Sequence, residues 1–480
     1  MEKNKHTKIT FLSHASIYIE GREASLLVDP WLIGSCYWRS WWNYPPVKKG
    51  ILKKIKPDAV YITHVHWDHW HGVTLKKLID KDTLIITHEE PNKRSVNDLK
   101  KIGFKNIKLL KHGQSTNVGD LKLSIYQFGL FLNDSALVVK NKDVNLLDAN
   151  DCKIAGAALS PIIKKHGKFD FALRSHSSAN DRILYKIKNN PNFINDDPEH
   201  YSRSFKYFMD AVKPNYAVPF ASNHCYLHKD VFDLNEFITD PYILKKQLDE
   251  MGGLENSELK ILVSGDSWSS DTGFEVASSS HYFLEKSFHI KEYLKEKAPL
   301  LEKFYTLESR LKINKKIISK FQNQIKAIPK LIRKKFKGWK FQLTLSSDKY
   351  SYNFIVDPFE AKLTEFDDSL KKDLPTHIHI PIKIFIDAVA LNMFHHSSIS
   401  KRNQYLFENE NELKKYSDFL NLLEKVELEV YPLKVSYLKN LFFSYCRRWR
   451  EILVYFKAFI LLKKGLPIYD VEEEILKHTK

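Results

Sequence analysis

Short apolar runs broken by polar turns set the pattern of roughly the first 270 positions. Residues 8–30 place Ile9, Phe11, Ile17, Tyr18 and Ile19 ahead of Glu20-Gly21, and Leu26–Val28 ahead of Asp29-Pro30. That spacing predicts two strands and a tight turn. Further strands are predicted at 58–63, 84–87, 106–110, 121–126, 136–140, 144–147, 168–176, 215–220 and 258–268, with helices at 73–80, 93–102 and 200–212. Several of these strands stop at a His or Asp, the place where sheets with parallel strands present functional groups. Strands with helices between them predict a layered α/β domain of about 270 residues.

The pattern changes beyond it. Residues 281–340 read as helical and basic, with Lys330, Arg333, Lys334, Lys335 and Lys337 close together. A hairpin is predicted at 341–357, a strand running into a helix at 376–389, and a helix at 409–424. Residues 441–464 predict one final amphipathic helix packed on the C-terminal domain. The expected division is a domain over 1–275, a basic helical connection over 276–340 and an α+β domain over 341–480.

Composition narrows the classes. With 28% charged and 43% hydrophobic residues the chain is neither disordered nor short of core. Four scattered cysteines, Cys36, Cys152, Cys225 and Cys446, exclude a disulfide scaffold and fit a reducing compartment. No run of about 18–20 apolar residues predicts a transmembrane helix. The N-terminus has no leader-like pattern, so a cytoplasmic location is expected. The net charge of +17 favours anionic partners.

Chemistry concentrates at Thr63-His64-Val65-His66-Trp67-Asp68-His69-Trp70-His71-Gly72. Three imidazoles and a carboxylate fall within residues 64–69, just after a predicted strand. An extended His-x-His puts both rings on one side of the backbone, and the turn that follows aims Asp68 and His69 at a second point. Imidazole and carboxylate together suit zinc, iron or manganese. Two such metals a few ångströms apart share a hydroxide and polarise a substrate oxygen.

This run resembles the His-x-His-x-Asp-His signature of the metallo-β-lactamase superfamily. The resemblance implies an αββα sandwich carrying two divalent metals, zinc or iron, here followed by a C-terminal α+β extension. It assigns Asp29 to orienting the metal loop and Asp151 to bridging the metals, with Asp148 as rival. The text DPWLIGSCYWRSWWNYPP, the pair Asp151-Cys152 and Pro219-Phe220-Ala221 are similar to the corresponding part of the CMP-N-acetylneuraminate hydroxylases. The pattern departs from the superfamily in two places. Leu130 stands where the third-motif His is expected, and Ala221 where the last-motif His is expected. Strand-end position makes His176 and His224 the first substitutes, ahead of His228, His88 and His112; His71 is expected beside the metals or exposed.

The Trp-rich loop offers Trp38, Arg39, Trp41 and Trp42 as a floor for a sugar or base and its phosphate, or as packing. The leading expectation is a metal-dependent hydrolase acting on an anionic, nucleotide-linked sugar, with Asp68 holding metal and guiding a proton. The second is a non-haem iron oxygenase. Rieske ligation needs Cys-x-His and Cys-x-x-His pairs; Cys225-Tyr-Leu-His228 is the only half-match, so that role needs a separate Rieske or ferredoxin partner. The third is a non-catalytic protein with a degenerate site that binds membranes or glycans. A peripheral lipid contact fits the basic run and the 441–464 helix; nucleic acid is not an expected partner.

Overall fold

The computed structural model describes residues 5–130, 134–177, 179, 181–193, 197–276, 279–366 and 374–479. Two sheets form its first half. One has eight strands, ordered Gly273–Glu275, Ser267–Ser269, Lys8–Ser13, Ser16–Glu20, Ser25–Val28, Ala59–Ile62, Leu84–His88 and Ile107–Leu110. The other has seven, ordered Glu258–Leu259, Tyr216–Phe220, Phe171–Ser175, Asn145–Asn150, Asp134–Lys140, Leu121–Phe128 and Ser115–Val118. Each sheet is antiparallel over part of its width and parallel over the rest.

The apolar alternation explains why the sheets face each other. Ile9, Ile17, Val28 and Tyr61 of one sheet share a core with Leu123, Leu137, Leu146 and Val218 of the other. On the outer faces, Leu75 and Leu99 come from helices Gly72–Leu78 and Arg94–Lys101 and pack on Val60 and Ile85. Leu159 and Phe205, from Gly156–His166 and Pro198–Val212, pack on Leu147 and Ala172. The result is an αββα sandwich, with the C-terminal ends of Ser25–Val28, Ala59–Ile62, Asn145–Asn150 and Phe171–Ser175 along one edge.

Three elements differ from the sequence reading. Residues 8–20 form a hairpin of two strands that turns at His14-Ala15, because Ser13 pairs with Ser16. The predicted strand 258–268 divides between the two sheets; Gly265, at φ +98°, lets the chain cross. The single helix expected at 441–464 is two, Val435–Arg447 and Trp449–Lys463. Arg448 stops the first, because its buried guanidinium pairs with Glu451 and donates to the Gly129 carbonyl. The second helix packs on the sandwich rather than on the C-terminal sheet, through Val454. Helices Gly156–His166 and Pro241–Glu250 lie in segments for which no element was predicted.

A six-stranded sheet forms the second half, ordered Tyr185–Ile187, Gln404–Phe407, Thr376–Pro381, Phe341–Ser346, Ser351–Asp357 and Lys362–Phe366. Its first strand comes from within residues 1–275. Phe321, Phe385 and Phe419, from helices Lys315–Ala327, Ile382–Leu391 and Glu410–Glu427, cover it. The same core takes in Trp31, Tyr37, Trp38 and Trp41, so the Trp-rich loop is the seam between the halves. The Trp38 indole N–H donates to Asp387 at 2.9 Å and that of Trp41 to the Ile399 carbonyl at 2.9 Å. Arg402 bridges Asp230 and Glu308 beside them.

Tyr37, Trp38 and Arg39 all adopt left-handed backbone, at φ 48°, 55° and 68°. Such residues cost roughly 1–2 kcal/mol each, and the burial of the indoles holds them there. We therefore expect Trp41→Ala to lower stability by roughly 3–5 kcal/mol, read from the urea midpoint, with Trp41→Phe recovering most of it. A loss below about 1 kcal/mol would show that the seam does not hold the halves together.

Candidate metal centre

Asp29 ends the strand Ser25–Val28 and is fully buried. Its carboxylate accepts from the Thr63 backbone N–H at 2.8 Å and hydroxyl at 2.6 Å, from His69 Nδ1 at 2.7 Å and from the Asn150 amide at 2.9 Å. With Nδ1 donating to Asp29, His69 presents Nε2 to the site. That atom lies 3.1 Å from Asp151 Oδ2 and 3.6 Å from Asp68 Oδ2. His64 Nε2 and His66 Nδ1 approach to 2.9 Å. Two imidazoles sharing one zinc would hold these atoms about 3.3 Å apart.

The side chains gather into two donor groups. His14, Asp68 and His69 form one; His64, His69 and Asp151 form the other. Within each group the ligand atoms lie within 4.8 Å of one another. Buried imidazole nitrogens and carboxylates at this spacing, with few apolar atoms between them, suit divalent zinc or iron, so the residues fit the group that the sequence motif implies.

His14 was not singled out in the sequence. Its Nε2 lies 3.1 Å from Asp68 Oδ2, and the hairpin at His14-Ala15 puts it on the active edge. Asp134, at the start of its strand, is a second such residue, with Oδ1 3.4 Å from His64 Nδ1. Tyr37 is a third, its hydroxyl donating to Asp68 Oδ1 at 2.6 Å.

The remaining named residues are placed as follows. Asp151 reaches the cluster, whereas Asp148 is buried behind it within the strand. His176 is buried at the end of Phe171–Ser175 and belongs to neither donor group. His224 stacks on Trp41 with ring centres 3.8 Å apart, and its nitrogens contact the Ser222 carbonyl and the Tyr226 hydroxyl. His71 caps the helix Gly72–Leu78 by accepting from the Thr74 N–H. His112 accepts from the Gln127 N–H, and His228 approaches Glu308 at 3.4 Å. His88 is buried 3.9 Å from Glu90. Leu130 is exposed. Residues 131–133, which follow it in the expected third-motif segment, lie outside the described residues.

Trp38 and Arg39 line a cavity of about 710 Å³ together with Trp67, Lys76 and Lys383. Trp41 and Trp42 do not line it: both are buried, because their indoles pack the seam. A second cavity of about 740 Å³ is lined by Lys186, Lys229, Lys401, His377 and His379 together with Asp230 and Glu308. Neither cavity includes the His/Asp cluster, and the ligand chemistry, not cavity size, marks the site.

Electrostatics follow from burial and proximity. Burial pushes the Asp68 carboxyl up, yet the His69 charge and the contact with His14 hold it well below the usual range. Burial disfavours a charged His69, but Asp68 and Asp29 raise it well above the usual imidazole value. Burial holds His66 down at about 3. Burial and the nearby Asp151 push Asp134 well up.

These directions give a test. At pH 7 His69 of the metal-free protein carries its second proton and must lose it to bind metal. Zinc titration by calorimetry in two buffers of different ionisation enthalpy should therefore report about one proton released from His69. Asp29→Asn, which removes one of the charges that raise His69, should shrink that release and weaken zinc binding about 10–100-fold. Equal heats in both buffers would contradict the assignment.

Comparison with known proteins agrees with the geometry. Residues 8–128 match a family model described as the beta-lactamase superfamily domain. A putative Rieske 2Fe-2S iron-sulfur protein of Mycolicibacterium smegmatis is 25% identical over 328 residues, 61% of this chain and 61% of its own. The cytidine monophosphate-N-acetylneuraminic acid hydroxylase of Xenopus laevis is 26% identical over 332 residues, 60% of this chain and 55% of its own. The chain thus spans about three-fifths of the length of these curated relatives. An isothiocyanate hydrolase from Delia radicum gut bacteria superimposes with a TM-score of 0.40 at 15% identity, covering 54% of this chain and 98% of its own. The segment that carries His14, Asp29 and the His64–His69 run lies within the stretch that this superfamily model matches.

Proposed function

We propose that this chain is a dinuclear-metal hydrolase acting on an anionic, nucleotide-linked sugar. The observation that carries the reading is the pair of donor groups that meet at His69. His64, His66, Asp68, His69 and Asp151 would hold the metals with His14, an extra donor on the side of Asp68. Bound metals of this kind lower the pKa of water toward 7 and polarise a substrate oxygen. The protein's own residues do the rest. Asp29 fixes the tautomer and direction of His69, and Tyr37 fixes Asp68. Asp68, kept ionised, would hold metal through Oδ2, the oxygen beside His14 and His69, and would help guide the attacking water's proton. The net charge of +17 and the cavity with Arg39, Lys76 and Lys383 support an anionic substrate.

A second reading is favoured by relatives that match about 60% of the chain and bear Rieske and hydroxylase names. In it the same residues hold iron, and electrons come from a Rieske or ferredoxin-type donor outside this sequence. Metal analysis of protein purified without chelator decides between them. About two zinc ions per chain with release of product from nucleotide-sugar esters supports hydrolysis, whereas iron with donor-dependent oxygen uptake supports hydroxylation. In either case Asp68→Asn and Asp151→Asn should lower turnover by about 100-fold or more. Metal-free protein with no activity under any loading would contradict both.

The location of the protein is a further part of the proposal. No described helix is long and apolar enough to cross a membrane. The helices Val435–Arg447 and Trp449–Lys463 nevertheless expose Phe442, Trp449, Ile452, Leu453, Phe456 and Phe459. In the second helix these residues recur at helical spacing, and Lys439, Arg450, Lys463 and Lys464 flank them in solvent. Apolar rings rimmed by cations suit the surface of an anionic bilayer. Vesicles containing phosphatidylglycerol should pull the protein down, and pure phosphatidylcholine vesicles should do so less. Phe456→Glu with Phe459→Glu should cut that binding about 10-fold or more. Protein that stays in the supernatant, or a dimer that buries this face, would overturn the membrane assignment.

A further inference from the structure

We propose that His281, Glu285 and His289 form a separate site for a single zinc ion, where the helical connection leaves the first half. The three donors recur every fourth residue, so each lies one helical turn from the next. In an unbroken helix residues 281 and 289 would stand about 12 Å apart along the axis. Here the two imidazoles have ring centres 4.2 Å apart. The cause is a break at Glu285, which leaves the helical backbone at φ −108° and ψ 33°. It separates helix Ser279–Leu284 from helix Lys286–Ser309 and brings the two outer rings together. One ligand atom from each residue then lies within 4.8 Å of the others. The three share no residue with the donor groups that meet at His69.

The chemistry fits zinc. Two imidazoles and one carboxylate, with a further place for water, are a zinc ligand set. Ligand atoms around a tetrahedral zinc stand about 3.3–3.5 Å apart. His289 Nε2 and Glu285 Oε2 are 3.8 Å apart, too far for a hydrogen bond and near that spacing. His281 and Glu285 are exposed, so small side-chain rotations close the rest. A second observation comes from His289 itself. Its Nε2 is shut off from solvent and has no hydrogen-bond partner among the described residues. A histidine kept only for packing would leave that nitrogen unsatisfied, which folded proteins avoid. Both arms of the break are held in place by the protein. Phe283 on one side and Ile290 on the other share a core with Trp42 and Tyr44, and the Tyr44 hydroxyl donates to the Tyr282 carbonyl. The donors are thus presented from anchored backbone, and a bound ion pins the bend.

The test uses the full chain, stripped of metal and equilibrated with free zinc buffered in the micromolar range. Bound zinc is counted by mass spectrometry, and affinity is read by chelator competition. Wild type should carry one zinc ion more than His281→Ala and one more than His289→Ala. His281 is exposed, so its removal leaves the core intact. Asp68→Asn with Asp151→Asn, which disables the centre around His69, should still bind one zinc ion. Adding His281→Ala to that protein should weaken this binding about 10-fold or more. Zinc should also raise the unfolding midpoint of the double variant, and not once His281→Ala is added. If the double variant does not fold, titration of wild type answers instead: a weaker class of one zinc per chain, absent from His281→Ala. Equal zinc in wild type, His281→Ala and His289→Ala overturns the proposal and leaves the dinuclear reading standing. Extra zinc taken up only as the chain dimerises, followed by sedimentation, overturns a site within one chain.

Discussion

One buried carboxylate organises the site. Asp29 accepts from four donors on three residues: Thr63 and His69 from the loop after the neighbouring strand, and Asn150 from the facing sheet. A carboxylate removed from water is costly unless its lone pairs are filled, and here they are. The arrangement ties together the edges of both sheets at the point where their strands end. It also dictates which nitrogen His69 turns toward Asp68 and Asp151. The cluster of like-charged carboxylates, Asp68 and Asp151, is held close by that same ring. Much of what the site can do chemically follows from where Asp29 sits.

A second constraint lies between the halves. The left-handed run Tyr37–Arg39 is an unfavourable backbone that persists because Trp38 and Trp41 are anchored to Asp387 and Ile399. The strain is stored next to chemistry, since Tyr37 grips Asp68. The C-terminal half is thus more than an appendage. It fixes the loop that positions a candidate ligand, and it packs His396 against His66 and Trp67.

What the sequence showed was whatever is local in the chain. The His64–His69 run needs only a strand and a turn, so its spacing is readable without a fold. Asp29 and Asp151 were named through the superfamily resemblance, with a position just past a strand favouring Asp151 over Asp148. His14 was hidden because residues 8–20 look like one continuous apolar stretch, and the two-residue turn that aims the ring at Asp68 has no Gly or Asn to mark it. Asp134 lies four residues after Leu130, in the segment where the superfamily pattern expects a histidine rather than a carboxylate. For His176 and His224, strand-end position located the backbone but not the ring, and His224 turns toward Trp41. The break at Arg448 depends on Glu451 and on Gly129 far away in the chain, a tertiary contact that helical periodicity cannot express.

The His64–His69 run, His14 and Asp151 together make a site for two metal ions. Crystals of protein purified without chelator, measured above and below the zinc and iron absorption edges, test it most directly. The account predicts two anomalous peaks about 3.5–4 Å apart, one against His14 and Asp68, the other against His64 and His66. A well-ordered site with no anomalous peak, or a lone peak away from His69, would contradict it.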